Sequence, residues 1–282
     1  MPLKTTYTPL EKAELDGDLL KNDADPSDSW ADFTRDFRST AHPLPSAWGE
    51  LFGPLRTGGA DGLVVIGQIG QSLDGRTATT SGHSRYINGP AGLTHLHRLR
   101  SLVDAVVIGV GTALADDPQL TVRRVAGPHP VRVVLDPSSR LAAGAKVFNA
   151  DGVRRLLMTA EGTRCSLPSD VEVVALPVTD GRIAPPAILA ALAERGLHRI
   201  LIEGGAHTVS RFMTAGCLDR LHVTVAPIIF GSGRPGFILP PVERADQALR
   251  APMRIYQLDD EVLFDCDLSA QRVSIGRAKM ST

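Results

Sequence analysis

A short apolar run that ends in an acid and two glycines constrains the fold of this chain more than any other stretch. The segment 199–212 reads RILIEGGAHTVSRF. Residues 200–202 are typical of a strand buried on both faces. Glu203 ends the run, Gly204 and Gly205 permit a tight turn, and the later apolar spacing predicts a helix from Ala206. Such a turn offers free backbone N–H groups to an anion, most simply a phosphate, although an ordinary strand–helix connection would look the same.

Strands and helices alternate through the middle of the chain, and strands dominate its end. Apolar runs predict strands at 62–67, 104–109, 131–136, 156–159, 171–175, 220–229, 253–258 and 262–268. Helices are predicted at 89–102 and 185–195. We therefore expect an α/β domain of three layers, α-β-α, whose mixed but mostly parallel sheet gains antiparallel strands near the C-terminus.

Three regions differ in composition. Residues 1–60 are acidic and interrupted by prolines, and they predict an N-terminal extension with one amphipathic helix over 28–38. We expect this extension to carry no catalytic groups, although a lid or a dimer contact is an alternative. Residues 61–270 form the predicted domain, and 271–282 a C-terminal tail.

Composition excludes several classes of function. A net charge of −1 gives no basic field for nucleic acid. No apolar run reaches the ~20 residues of a membrane span, and the N-terminus lacks a signal-peptide pattern. Three widely separated cysteines predict reduced thiols rather than a metal or redox motif. These features favour a cytoplasmic protein without a metal site.

A dinucleotide-binding pattern is present only in part. Gly109-Val-Gly111 follows an apolar strand, but Leu114 stands where a third glycine is expected. The residues after it, with Pro118, predict no dinucleotide-binding helix. We therefore favour another α/β fold over the Rossmann fold.

Polar loops and basic side chains indicate an anion site. The stretch 68–86 is too polar for a core and too long for a tight turn, so we expect a loop that lines a site. If it meets the loop 111–124, two or three of the local arginines could hold a phosphate. The arginines are Arg85, Arg98, Arg100, Arg123 and Arg124. Candidates for proton transfer are His83, His95, His97 and His207, although a lone histidine is more often structural.

Three segments together resemble one family. They are SLDGRTATTSGHSRYI (72–87), HRLRSLVDAVVIGVGTALADDPQLTVR (97–123), and ILIEGGAHTVSRF with LDRLHVTVAPIIFGSGRPGF (218–237). Together they resemble the RibD C-terminal reductase domain of bacterial riboflavin biosynthesis, the 5-amino-6-(5-phosphoribosylamino)uracil reductases. The resemblance spans about residues 62–268 and implies a dihydrofolate reductase-like fold and use of NADPH.

The resemblance also implies roles for particular residues. Asp116 and Glu203 are implied as catalytic. Substrate contacts are implied for Ser84, Arg100, Leu120, Arg123 and Glu203. Cofactor contacts are implied for Tyr86, Thr112, Asp116, Gly204, Gly205, Ala206, His207 and Thr208. The chain departs from the family pattern at Tyr86, where a Trp is usual, at Ala206, where a glycine is frequent, and at His83, where an acid is frequent.

The implied reaction reduces the ribosylamino group of a phosphoribosylamino-pyrimidine to ribitylamino. Arg100 and Arg123 would bind the sugar phosphate, and Arg164 is a candidate partner for the 2′-phosphate of NADPH. The motifs of a zinc deaminase, H-x-E and P-C-x-x-C, are absent from the sequence, so we expect a stand-alone reductase. A homodimer is implied. The alternatives are a dihydropterin or dihydrofolate-type reductase of the same fold and a non-catalytic nucleotide-binding protein.

Overall fold

The computed structural model describes residues 30–39, 44, 46–59, 61–84 and 87–275. Its strands are β1 (Val64–Ser72), β2 (Arg76–Thr79), β3 (Ala105–Gly109), β4 (Val131–Leu135), β5 (Arg155–Ala160), β6 (Glu172–Leu176), β7 (Val178–Thr179), β8 (Arg182–Ile183), β9 (Arg199–Ile202), β10 (Arg220–Ala226), β11 (Gly233–Pro235), β12 (Met253–Leu258) and β13 (Glu261–Asp267). Its helices are α1 (Trp30–Phe37), α2 (Ser46–Phe52), α3 (Pro90–Leu102), α4 (Val110–Asp116), α5 (Pro185–Ala193) and α6 (Ala206–Thr214).

One nine-stranded sheet organises the molecule, in the order β12-β13-β10-β1-β9-β3-β4-β5-β6. The strands from β10 to β6 are parallel, and β13 is antiparallel to both of its neighbours, β10 and β12. The predicted mostly parallel sheet with a late antiparallel part is confirmed. The short strands β2 and β11 pair separately, as do β7 and β8.

The sheet separates two hydrophobic clusters, because successive side chains of a strand point to opposite faces. Val64 and Ile66 of β1 pack with α3 and α4, whereas Val65 packs with α5 and α6. Ile200 and Ile202 likewise join the second cluster. The predicted three-layer α-β-α arrangement is confirmed.

The helices α1 and α2 and the 3₁₀ turn Gly53–Leu55 pack against the outer side of α3. We call the residues of this region, 30–39 and 46–56, the aromatic cap. The apolar side of the predicted 28–38 helix is confirmed, because Phe33 and Phe37 are buried in the first cluster. The guanidinium carbon of Arg98 on α3 lies 4.3 Å from the ring centroid of Trp48. The cap therefore shares a core with the domain.

Two local predictions are wrong. Residues 68–72 continue strand β1 instead of opening a loop, since they pair with β10 from Gln68↔His222 to Ser72↔Ala226. Tertiary pairing thus overrides a polar local sequence. The predicted loop 111–124 is also wrong in its first part, because helix α4 begins directly after β3, at Val110, and continues to Asp116. It is only 7 residues long.

The last described residues are also fixed to the domain. Arg272 pairs with Asp61 at 2.9 Å and with Asp219 at 3.4 Å, and the N–H of Val273 donates to the carbonyl of Gly216. Within the described residues, no helix is long and apolar enough to cross a membrane.

Candidate active site

The site lies at the carboxyl edge of the sheet, where β1, β9 and β3 are neighbours. Glu203 follows β9, and its N–H donates to the carbonyl of Val107 on β3. Gly204 then has φ +109°, and a Cβ there would lie 2.8 Å from Thr112 Oγ1. This position therefore requires glycine. The N–H of Gly205 donates to the same Thr112 oxygen at 3.0 Å, which fixes the turn against α4.

Helix α6 begins with no side-chain cap. Its N-cap residue is Gly205, which has no side chain that could cap the first N–H groups of the helix. Gly205 and His207 are exposed. Because the first N–H groups of a helix lack partners within it, this end presents backbone donors and a positive dipole to solvent. In this first turn the N–H of Thr208 donates to the carbonyl of Gly205 at 3.1 Å, so the donors that face the predicted anion site are those of Ala206 and His207.

Glu203 and Arg100 form a buried, two-pronged ion pair. The Nε and Nη2 atoms of Arg100 donate to the two carboxylate oxygens of Glu203, each at 2.7 Å. Arg100 is 7% exposed and Glu203 4%. A bidentate pair of this kind fixes both side chains. The remaining nitrogen, Nη1, donates to the carbonyl of Thr121 at 3.2 Å.

The loop that follows α4 is therefore tied to α3 at two points. Besides the Arg100 contact, the N–H of Arg123 donates to His97 Nδ1 at 2.9 Å. His97 and Arg100 are three residues apart on α3 and so lie on one face. Leu120 has φ +55° and a buried side chain. Because its side chain is buried, only its backbone remains for a ligand contact.

The tied loop is strongly cationic. Burial and the positive charge of three nearby arginines lower the pKa of His97 to about 3, so its ring is neutral at pH 7. The arginines are Arg100, Arg123 and Arg124. Glu203 neutralises Arg100, whereas Arg123 is exposed and, among the described residues, its guanidinium donates only to the neutral oxygens of Gln119 and Thr121. Arg123 is thus available to an anion.

Ser84 and Asp116 meet beside this loop. The hydroxyl of Ser84 donates to Asp116 Oδ1 at 3.2 Å. The neighbouring Asp117 has a different role: with φ +41° it ends α4, and it pairs with Lys146 at 3.0 Å. The Lys146 contacts lower the pKa of Asp117. Asp116 is exposed and remains accessible to a ligand.

A cavity of about 270 Å³ opens beside the glycine turn. It is lined by the end of β3 and the start of α4, by the end of β4 and the loop after it, and by β8, α5 and α6. Three arginines from separate elements line it: Arg140, Arg182 and Arg211. Sequence reasoning missed this cluster because its members lie far apart in the chain, and only the fold brings them together.

The structure brings most of the predicted residues to one edge of the sheet. Thr112 meets the glycine turn, Ser84 meets Asp116, and Arg100 meets Glu203. Tyr86 and Arg85 lie outside the described residues. Arg164 is exposed on the loop after β5 and does not line the cavity. Among the described residues, no group of three or more His, Cys, Asp or Glu side chains is arranged to hold a metal.

This architecture, with a cavity at the carboxyl edge of a mostly parallel sheet, is typical of an α/β ligand-binding domain. Residues 64–263 match the RibD C-terminal domain, and the chain belongs to that family. The 2,5-diamino-6-ribosylamino-4(3H)-pyrimidinone 5′-phosphate reductase of Methanothermobacter thermautotrophicus is 33% identical over 210 residues, covering 71% of this chain and 96% of that protein.

Two longer relatives match this chain over only part of their length. The riboflavin biosynthesis protein RibD of Bacillus amyloliquefaciens is 36% identical over 165 residues, 57% of this chain and 44% of that protein. The crystal structure of a diaminohydroxyphosphoribosylaminopyrimidine deaminase/5-amino-6-(5-phosphoribosylamino)uracil reductase from Thermotoga maritima aligns with a TM-score of 0.63 at 27% identity. That alignment covers 73% of this chain and 56% of the other. The dihydrofolate reductase-like fold is confirmed.

Proposed function

We propose that this chain reduces the ribosylamino group of a phosphoribosylamino-pyrimidine to ribitylamino, with NADPH as the reductant. The observation that carries the proposal is the position of α4, which contacts the glycine turn at one end and Ser84 at the other. Thr112 holds the glycine turn and Asp116 accepts from Ser84. They are four residues apart, so they share one face of the helix at about 6 Å along its axis. A cofactor on the turn would therefore lie beside a substrate at Asp116.

The residues present fit a nicotinamide dinucleotide. In the turn Gly204–Thr208, where Gly205 and His207 are exposed, the N–H groups of Ala206 and His207 at the start of α6 are available to a diphosphate. A Cβ on Gly111, which lines the cavity, would meet nothing within 4 Å, so there is room beside this backbone. The name of the Methanothermobacter thermautotrophicus relative, a reductase of a ribosylamino-pyrimidinone 5′-phosphate, supports the same class of reaction.

Each side chain then has a defined task. NADPH, when bound, would supply a hydride to C1′ of the C=N bond of the ring-opened sugar, and the nitrogen would take a proton from water. Arg123 binds the substrate phosphate, which sets the distance of the reacting C1′ carbon from the cofactor site. Glu203, held by Arg100, orients polar groups of the substrate from the end of β9. Asp116, held by Ser84, orders polar groups around the reacting carbon.

The experiment is a turnover assay with the purified chain. Loss of the reduced nicotinamide absorbance is followed with the deaminated and non-deaminated phosphoribosylamino-pyrimidines, with their dephosphorylated forms and with a dihydropterin. We expect turnover of a phosphorylated pyrimidine and a ribitylamino product by mass spectrometry. Turnover of the dihydropterin alone, or NADPH binding without any turnover, would overturn the proposal.

We further propose a homodimer. The edge strand β12 and the segment before it carry exposed apolar side chains, which favours coverage by another chain. These side chains are Ile229, Ile238, Leu239, Val242, Leu249, Met253 and Ile255. Light scattering of Ile255→Glu against the unaltered protein tests this, since a charge on this edge should weaken the dimer.

A further inference from the structure

The cavity beside the glycine turn has one apolar part and one cationic part. Leu135, Ile183 and Ile188 supply apolar walls. The three arginines lie around them, on the loop after β4, on β8 and on α6. None of the described residues that line the cavity is acidic. The cavity therefore suits an occupant that combines an apolar part with negative charge.

The positive charges of the cavity are poorly compensated. The nearest carboxylate to Arg140 is that of Asp136, 3.9 Å from its Nε. The guanidinium of Arg182 has neither a hydrogen bond nor an ion pair within the described part of the chain. Within the described ranges, the guanidinium of Arg211 donates only to the carbonyl of Ile183, and burial together with the charge of Arg182 lowers its pKa. Arginines that line one cavity without an acidic lining residue are suited to a phosphate dianion.

The position of the cavity indicates which phosphate group of a bound dinucleotide would reach these arginines. Gly109–Gly111, His207 and Thr208 line the cavity and also border the turn assigned to the cofactor's diphosphate. In a dinucleotide, the adenosine ribose follows the diphosphate directly, so a phosphate on its 2′-oxygen would come next along the cavity. We propose that Arg140, Arg182 and Arg211 bind the 2′-phosphate of NADPH, with the adenine against the apolar walls. This inference rests on the proposed function and replaces Arg164 as the candidate 2′-phosphate partner.

The test measures binding directly and needs no turnover. Isothermal calorimetry compares 2′,5′-ADP with 5′-AMP, which lacks the 2′-phosphate, and NADPH with NADH. Arg182→Ala is the main variant because the Arg182 side chain is exposed and supports no described contact. We expect it to weaken 2′,5′-ADP and NADPH roughly tenfold while leaving 5′-AMP and NADH unchanged. Arg182→Lys should recover only part of the loss, because a point charge cannot make a forked contact.

Arg164→Ala is the matched control, an exposed arginine on a neighbouring loop outside the cavity, and it should change none of the four affinities. Arg140→Ala should repeat the effect of Arg182→Ala. If both variants keep the full preference for 2′,5′-ADP and NADPH, the assignment of the arginines is wrong while the cofactor stands. If the unaltered protein binds neither NADPH nor NADH, the proposed function itself is wrong.

Discussion

Arg100 and Glu203 are joined by two 2.7 Å hydrogen bonds in a buried pair between α3 and the end of β9. Sequence comparison implied separate substrate contacts for these two residues. Because the Nε and Nη2 atoms of Arg100 are taken by Glu203, its fork is not free to hold a phosphate in the same way. We therefore assign phosphate binding to Arg123 and the orientation of the site to the pair.

Breaking this pair should destabilise the protein. Glu203→Ala leaves a buried guanidinium without its counter-charge, which costs about 3–5 kcal/mol of the free energy of unfolding. Arg100→Ala should cost a similar amount for the converse reason. The double variant should lose much less than the sum of the two single variants. Urea denaturation of all four proteins measures this coupling, and additive losses would show that the pair does not act as a unit.

Arg123→Ala should lower kcat/KM for a phosphorylated substrate by roughly ten- to a hundredfold, since a charge-assisted hydrogen bond contributes about 1.5–3 kcal/mol. Arg123→Lys should recover part of the rate. The internal control is the dephosphorylated substrate, whose kcat/KM should be the same in both proteins. NADPH affinity should also be unaltered. An equal loss with both substrates would assign Arg123 to loop structure alone.

Two adjacent glycines should respond differently to substitution. Gly204→Ala places a Cβ 2.8 Å from Thr112 Oγ1 on a backbone with φ +109°, so it should lower stability. A Cβ on Gly205 meets only that oxygen, at 3.5 Å. Gly205→Leu should therefore fold, yet block access to the turn and raise the NADPH dissociation constant strongly. Thermal melting and calorimetry separate the two effects, and unchanged NADPH affinity in Gly205→Leu would remove the diphosphate from this turn.

His97 should make stability depend on pH. Its pKa of about 3 in the folded protein is below the unfolded value of 6.5. Between these values the unfolded chain binds a proton that the folded chain does not, so stability rises with pH across this window and is complete above it. His97→Gln, which retains an acceptor for the Arg123 N–H, should reduce the slope by up to about one proton. Unfolding free energies measured from pH 4 to pH 8 check this, and an unchanged slope would contradict it.

The sequence predicts the layers of this protein well because its strands are uninterrupted apolar runs. The strand 200–202 and its glycine turn are the best example, since burial on both faces leaves a simple signal. Residues 68–72 gave no such signal, and only pairing with β10 makes them a strand. The site was accessible to sequence reasoning where its residues are consecutive, as at Gly204–Thr208. The Arg140, Arg182 and Arg211 cluster was not, because contacts between distant segments leave no local pattern.

Removing the aromatic cap should destabilise the domain. A chain starting near residue 58 would lack Phe33 and Phe37, so the residues of the first cluster that pack against them would be exposed. Arg98 would also lose its contact with the ring of Trp48. Trp48→Ala is the milder form and should cost about 3–5 kcal/mol, as for other buried large aromatic side chains. Thermal melting of both proteins measures the loss. If the chain from residue 58 melts at the unaltered temperature, the cap contributes nothing to folding.

Helix α3 packs against the aromatic cap on one side. On its other side, His97 and Arg100 are hydrogen-bonded to the cationic loop. The cap, α3 and this loop also pack closely around Gly127, which lies in the continuation of the loop. A Cβ on Gly127 would lie 2.6 Å from Ser101 Cβ on α3 and 3.3 Å from Thr34 Cγ2 in the cap. Two stretches that are far apart in the sequence therefore depend on each other for their packing. A transplant of the family region 64–263 into another scaffold would have to carry Trp30 and Trp48 with it, or supply replacements shaped to Arg98.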